Sequence, residues 1–247
     1  MRADKHLVAY GYFDTRAKAQ AAIAAGCVRV DGRILDKPAA KIAPGAMIEA
    51  EPAHPYVSRA ALKLAAGLDA FAIDLAGLIC LDVGASTGGF TQVLLERGAA
   101  QVVAVDVGRA QLHGALKDEA RVLSLEGCDA RALTLERIGG RAPQLIVCDA
   151  SFIALEKVLP VALALAAQGA RLVALFKPQF QVGRAHVGKG GIVSDAAAVD
   201  AAREKTRTFF KDAGFDITGE AESPITGGDG NREYLIGAVK APRQNPD

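Results

Sequence analysis

Leu81-Asp82-Val83-Gly84-Ala85-Ser86-Thr87-Gly88-Gly89-Phe90 ends an apolar run and opens a helical pattern, with nothing bulky between Val83 and Phe90. Small residues there let the backbone turn tightly and approach a ligand, while the helix start offers unpaired N–H groups. Two nucleotide cofactors compete for such a loop. The dinucleotide fingerprint G-x-G-x-x-G needs glycine at position 86, where this chain has Ser86, which weakens the nicotinamide reading without removing it. A methyl-donor site wants an acid before the loop, here Asp82, and another closing the next strand, here Asp106. A carboxylate at position 106 can accept both hydrogens of a ribose diol, a role that suits either cofactor. Asp129, after the third strand, is placed to face an adenine amino group or an ordered water. S-adenosylmethionine is the favoured ligand, with Asp82, Gly84, Ala85, Ser86, Gly88, Gly89, Phe90, Asp106, Asp129 and Asp149 as its candidate contacts.

Outward from this loop, apolar runs alternate with helical patterns. Strands are predicted over 78–83, 101–106, 121–125, 144–149 and 170–177, with helices over 90–97, 110–116, 153–167 and 196–213. A closing hairpin, 215–222 and 232–239, flanks Thr226-Gly-Gly-Asp-Gly-Asn231. Strand–helix alternation with continuous apolar strands means an open, mostly parallel, helix-covered sheet of the α/β, Rossmann-like class.

Glu51-Pro52-Ala53-His54-Pro55 has the character of a linker, so the chain divides into a small domain at 1–52, a linker at 53–59, a larger domain at 60–242 and a tail at 243–247. In the small α+β domain, Asp14-Thr15 caps a helix that runs from Arg16 to about Ala25, where Gly26 stops it. Residues 27–30 and 33–35 form a hairpin about Asp31-Gly32, and 42–51 supplies another strand.

The 247 residues carry 29 Lys and Arg against 28 Asp and Glu, a net +1 that on its face disfavours nucleic acid. The sum hides a division. Residues 1–63 hold ten Lys/Arg against six Asp/Glu, and the remainder 19 against 22. Arg2, Lys5, Arg16, Lys18, Arg29 and Arg33 are the candidate phosphate-binding face, joined by Ser58 and Arg59 at the junction and Lys189 in a glycine-rich loop. With 5% aromatic residues and no Trp, recognition is expected through phosphates and folded RNA shape, not stacked bases. Four cysteines without C-x-x-C spacing predict no metal site and no disulfide framework, and with neither signal peptide nor membrane-spanning run the expected location is the cytoplasm. Cys80 and Cys148 fall within apolar strands and read as packing residues.

Four polar residues from four segments remain for acceptor chemistry: Lys63 in Val57-Ser58-Arg59-Ala60-Ala61-Leu62-Lys63, Asp149 in Cys148-Asp149-Ala150-Ser151, Lys177 in Phe176-Lys177-Pro178-Gln179, and Glu233 in Asn231-Arg232-Glu233-Tyr234. In an open sheet all four can converge beside the glycine loop. The segments DVGASTGGFT, YVSRAALKL, CDASFI, FKPQF, VGKGGIV and SPITGGDGNREYL together resemble the TlyA family, ribosomal RNA 2′-O-methyltransferases with an FtsJ-like domain that also bear the name hemolysin A. TRAKAQAAIAAGCVRVDGR resembles the small RNA-binding domain shared by a small-subunit ribosomal protein and many pseudouridine synthases. The resemblance covers nearly the whole chain and implies a Lys63–Asp149–Lys177–Glu233 catalytic tetrad, S-adenosylmethionine as donor, and a ribose of ribosomal RNA, that of cytidine, as acceptor. Gln181 stands where the family often has Glu, Ala60-Ala61 where glycine is frequent, and Arg109-Ala110 where Tyr-Gly is common.

Lys177, set between Asp149 and Glu233, is expected to orient the 2′-hydroxyl and stabilise developing alkoxide charge, with proton removal left open. Lys63 is expected to hold the acceptor or its phosphate. The partners implied are ribosomal RNA and ribosomal subunits, with the protein a monomer. A non-catalytic assembly factor and a cytolysin are the alternatives; the complete tetrad speaks against the first, and the want of a membrane segment against the second.

Overall fold

The computed structural model describes residues 1–242; the tail expected at 243–247 lies outside them. The chain forms two compact units, one of residues 1–55 and one beginning at Tyr56. The first contains helices α1 (Ala3–Ala9) and α2 (Arg16–Ala24) and strands β1 (Val28–Val30), β2 (Arg33–Ile34) and β3 (Ile48–Ala50), joined in the order β2-β1-β3. Thr15 caps α2, its Oγ1 accepting from the Lys18 amide at 3.3 Å. Leu7, Phe13, Ile23 and Val28 fill its core. Helix α1 carries no capping signal that separates it from a disordered terminus, and the sequence reading missed it. The strand expected over 42–51 shortens to β3, because Pro44-Gly45 holds the preceding residues in a turn.

The second unit opens with α3 (Ala60–Ala70) and continues as β4 (Ile79–Val83), α4 (Gly89–Glu96), β5 (Gln101–Asp106), α5 (Gly114–Lys117), β6 (Val122–Glu126), β7 (Leu145–Cys148), α6 (Leu155–Val158), α7 (Pro160–Leu165), β8 (Arg171–Phe176), α8 (Pro178–Gln181), α9 (Ala196–Asp212), β9 (Phe215–Glu222) and β10 (Tyr234–Lys240). Seven strands pair in the order β6-β5-β4-β7-β8-β10-β9. The first five run parallel, and β10 is antiparallel to both β8 and β9. Every residue of β4 and β7 is buried, as strands covered on both faces must be.

Two predicted helices change. The one expected over 153–167 breaks into α6 and α7, because Pro160 has no N–H to continue a helix and starts a new one at its first turn. The one expected over 110–116 reduces to α5, since Ala110 takes φ +55 and the Gln111 and Leu112 amides donate to Glu126 instead (2.6 and 3.0 Å).

From β4 the chain winds out through β5 and β6, then returns across β4 to β7 and β8. This reversal leaves a crevice at the carboxyl ends of β4 and β7, where open α/β sheets take their ligands.

Candidate active site

Gly84 leaves β4 at φ +84, and a Cβ there would lie 2.9 Å from both Cα and N of Ala150 after β7. Only glycine satisfies both the left-handed backbone and the close approach. The next turns are held by Asp106: its Oδ2 accepts from the Ser86 amide at 2.8 Å, its Oδ1 from the Gly108 amide at 2.7 Å. Ser86 itself takes φ +48, so the backbone at the position where a dinucleotide fingerprint has glycine does adopt the conformation glycine favours. Gly88, also left-handed, caps α4.

A cavity of about 530 Å³ opens here, lined by Gly84, Ser86, Asp106, Val107, Asp129 and Asp149 among others. That volume lies within the range of about 300–1,000 Å³ that small-molecule and cofactor sites occupy. Of the remaining candidate contacts, Phe90 is buried in the core beneath the loop. Asp82 is fully buried and does not line the cavity. Its Oδ2 accepts from the Thr91 hydroxyl at 2.7 Å, tying the two ends of the glycine loop, while its Oδ1 has no hydrogen-bond partner. Burial, reinforced by the Asp149 and Asp106 charges, pushes the Asp82 carboxyl up to about 7. Asp129 meets the Arg131 guanidinium as a fork (Nε–Oδ1 3.0 Å, Nη2–Oδ2 2.6 Å), which holds its carboxyl below the usual range.

The four candidate catalytic residues form two ion pairs. Lys63 Nζ lies 2.5 Å from Glu233 Oε2, both side chains being buried. Lys177 Nζ lies 2.7 Å from Asp149 Oδ1, and donates hydrogen bonds to the Ser151 hydroxyl (2.8 Å) and the Asp149 carbonyl (3.1 Å). The 2.7 Å approach to Oδ1 is an ionic contact outside hydrogen-bond geometry. The strands bring the two pairs side by side: Tyr234 of β10 pairs with Phe176 of β8, so Glu233 and Lys177 are the next positions outward. The expectation sets Lys177 between Asp149 and Glu233 and has Lys63 hold the acceptor or its phosphate. In the structure Lys177 meets Asp149, and Glu233 is matched by Lys63, which is buried on α3. Gly227 packs against this pair: a Cβ there would approach Glu233 Oε1 to 2.6 Å, so the carboxylate would have to shift.

Of the nine candidate RNA contacts, Arg2, Lys5, Arg16, Arg29, Arg33, Arg59 and Lys189 are exposed, and Lys18 and Ser58 are half-buried. Arg59 donates to the Thr226 carbonyl at 3.3 Å, and Arg29 to the Gly32 carbonyl at 3.3 Å. Lys18 pairs with Asp14 at 2.9 Å, while Arg2 and Arg16 both turn onto Asp4. Ser58 packs over the start of α4, its Oγ 2.3 Å from where a Cβ on Gly89 would stand.

Two residues outside the candidate site sets join these contacts. Ser151, two positions after Asp149, holds Lys177. Asn231, buried, bridges the loop carrying Lys189 through the Gly191 carbonyl (2.8 Å) and the Val193 amide (2.9 Å). The proximity of Ser151 to Asp149 in sequence was the available signal; nothing local marks Asn231. Cys80 and Cys148 are buried, and desolvation pushes each thiol up to about 12, which leaves them as packing groups. Among the described residues no group of three or more His, Cys, Asp or Glu side chains is placed to hold a metal ion, and no helix is long and apolar enough to cross a membrane.

A seven-stranded sheet of this order, with an acid-clamped glycine loop at the parallel strand ends and lysine–carboxylate pairs beside it, defines a Rossmann-like class I methyltransferase. An FtsJ-like methyltransferase family model matches residues 56–240, and an S4 domain model matches residues 1–48. The chain belongs to the TlyA family of FtsJ-like methyltransferases. It is 45% identical over 237 residues to the 16S/23S rRNA (cytidine-2′-O)-methyltransferase TlyA of Mycobacterium tuberculosis, a match spanning 95% of this chain and 88% of that protein. It is 40% identical over 235 residues to hemolysin A of Brachyspira hyodysenteriae, spanning 95% of this chain and 98% of that one. A solved structure from Streptococcus thermophilus, described as a hemolysin, superposes with a TM-score of 0.78 at 38% identity, covering 98% of this chain and 88% of the other.

Proposed function

We propose that this protein transfers the methyl group of S-adenosylmethionine to the 2′-hydroxyl of a ribose, that of cytidine, in ribosomal RNA, acting on ribosomal subunits in the cytoplasm. The observation that carries the reading is Lys177: a nearly buried cation at the end of a parallel strand, matched by Asp149, which also lines the cavity.

The lining of the cavity supports this donor. Gly84 keeps the β4 exit clear, and Asp106, having accepted two amides, retains lone pairs for the hydroxyls of a ribose. Of the other loop residues Ser86 lines the cavity, while Ala85, Gly88 and Gly89 are buried and shape the turn that forms it. Asp82, with Oδ1 unpaired, is the buried acceptor behind that loop. Asp129 takes part through Arg131, to which its carboxylate is already committed. When bound, the donor supplies an electrophilic methyl on a sulfonium.

The protein's own task is then positioning and charge. Two Lys177 N–H groups are held by Ser151 and the Asp149 carbonyl, which leaves the third for the acceptor oxygen. Fixed there, the ammonium lowers the energy of an oxygen gaining negative charge, and the fixed angle favours in-line attack. The Lys63–Glu233 pair braces the adjacent strand end and keeps Glu233 from competing for Lys177. The exposed cations of residues 1–55, with Arg59 and Lys189, hold phosphates.

A non-catalytic assembly factor would have no use for two buried lysine–carboxylate pairs, each of which costs desolvation. The test is to incubate ribosomal subunits with methyl-labelled donor and either wild type or Lys177→Ala, then digest the RNA. Labelled 2′-O-methylcytidine is expected from wild type alone. No label in RNA of either subunit overturns the proposal.

A further inference from the structure

We propose that Asp4 is a positioning residue that sets Arg2 and Arg16 as a fixed pair of guanidinium groups for RNA phosphate. Asp4 lies in the first turn of α1 with no exposed surface, and its two oxygens accept five hydrogen bonds. Oδ1 takes Arg2 Nε (3.1 Å) and the Lys5 amide (2.9 Å); Oδ2 takes Arg2 Nη2 (3.2 Å), Arg16 Nη2 (2.7 Å) and Gln20 Nε2 (2.7 Å). The carboxylate is saturated, and these donors hold its pKa well below the usual range.

The arginines are not. Their side chains remain 47% and 50% exposed, and Asp4 takes only two of the five N–H groups of Arg2 and one of those of Arg16. One buried negative charge therefore orients two half-exposed positive ones, from α1's entry and α2's first residue. Arg16 stands where a helix favours anions, and α2 has no acid in its first turn to offset it. That placement works against the helix and in favour of an anion arriving at its end. A planar guanidinium held at one edge is prepared for bidentate phosphate binding, with little rotamer freedom left to lose.

The inference rests on RNA being the substrate, and its test separates the two. Binding of purified ribosomal subunits is measured by filter retention across a potassium chloride series for wild type, Asp4→Asn, Arg2→Ala/Arg16→Ala, the triple variant, and Arg16→Lys. Asp4→Asn removes a negative charge from a basic face, so charge alone predicts tighter binding. Positioning predicts the reverse: about tenfold weaker binding, with a log–log salt slope shallower by about one to two. In the triple variant Asp4→Asn should add nothing to the double arginine change. Arg16→Lys keeps the charge and loses the fork, so it too should weaken binding. Thermal melts and S-adenosylhomocysteine affinity report folding, and should Asp4→Asn fail to fold, Arg16→Lys decides. Tighter or unchanged binding by Asp4→Asn, wild-type binding by Arg16→Lys, or no effect of the double arginine change overturns the role of Asp4. Failure of wild type itself to bind subunits overturns the RNA reading first.

Discussion

Asp82→Asn should stabilise the protein at neutral and alkaline pH, and the gain should vanish in acid. Asp82 is fully buried, with one oxygen bound to Thr91 and the other unpartnered, and its carboxyl is pushed from 3.8 to about 7. Between pH 4 and 7 the folded chain thus holds a proton there that the unfolded chain has released. Raising the pH through this window removes stability. At about 1.4 kcal/mol per unit, the burial of the charged form costs up to about 4 kcal/mol at pH 8. Asparagine accepts the Thr91 hydrogen bond equally well but brings an N–H₂ with no partner, a loss of about 1–3 kcal/mol. The net gain at pH 8 is about 1–3 kcal/mol, and at pH 4 the variant should be equal to wild type or weaker. Urea unfolding followed by circular dichroism at pH 4, 5.5, 7 and 8 measures both curves. A difference between variant and wild type that stays flat from pH 4 to 8 would refute the assignment of a raised pKa to this group.

Gly84→Ala should cost about 2–4 kcal/mol, because it adds left-handed strain to a contact with the Ala150 backbone, and should weaken S-adenosylhomocysteine binding in calorimetry. Lys63→Ala leaves Glu233 buried without its cation and should destabilise by about 3–5 kcal/mol in the same urea assay, whereas Lys63→Met with Glu233→Leu should recover most of that loss. Ser151→Ala frees one Lys177 N–H from its guide; a fall of about tenfold in kcat is expected with KM for RNA and cofactor affinity unchanged, and Ser151→Thr should restore the rate.

What could be read from the sequence followed from local rules. The glycine loop declares itself because only small residues allow that turn. β5 and β7 declare themselves by apolar runs, Val102–Val105 and Leu145–Cys148, since strands buried on both faces have no polar side to interrupt them; β4 is as buried but carries Asp82 within its run. Pro160 is equally legible as the point where a helix over 153–167 must break. Side-chain pairing was another matter. Lys63 and Glu233 stand 170 residues apart, and the choice of Glu233 for Lys63 rather than Lys177 depends on where α3 lies against β10. No spacing rule contains that information.

The same limit applies to charge. Ten cations against six acids over residues 1–63 mark a basic front, but the first compact unit ends at residue 55 and holds eight against six. Arg59 and Lys63 belong to the second unit, the latter buried in an ion pair. Within the first unit Asp4 and Asp14 further occupy Arg2, Arg16 and Lys18. A surplus this small supplies little long-range attraction once salt screens it beyond about 10 Å. Affinity for RNA then has to come from a few cations held in the right place, each phosphate contact contributing through counterion release where it sits. On the proposed role of Asp4, one saturated buried carboxylate that fixes two half-exposed arginines would do this at the expense of net charge. RNA would then meet the geometry of these cations more than their number.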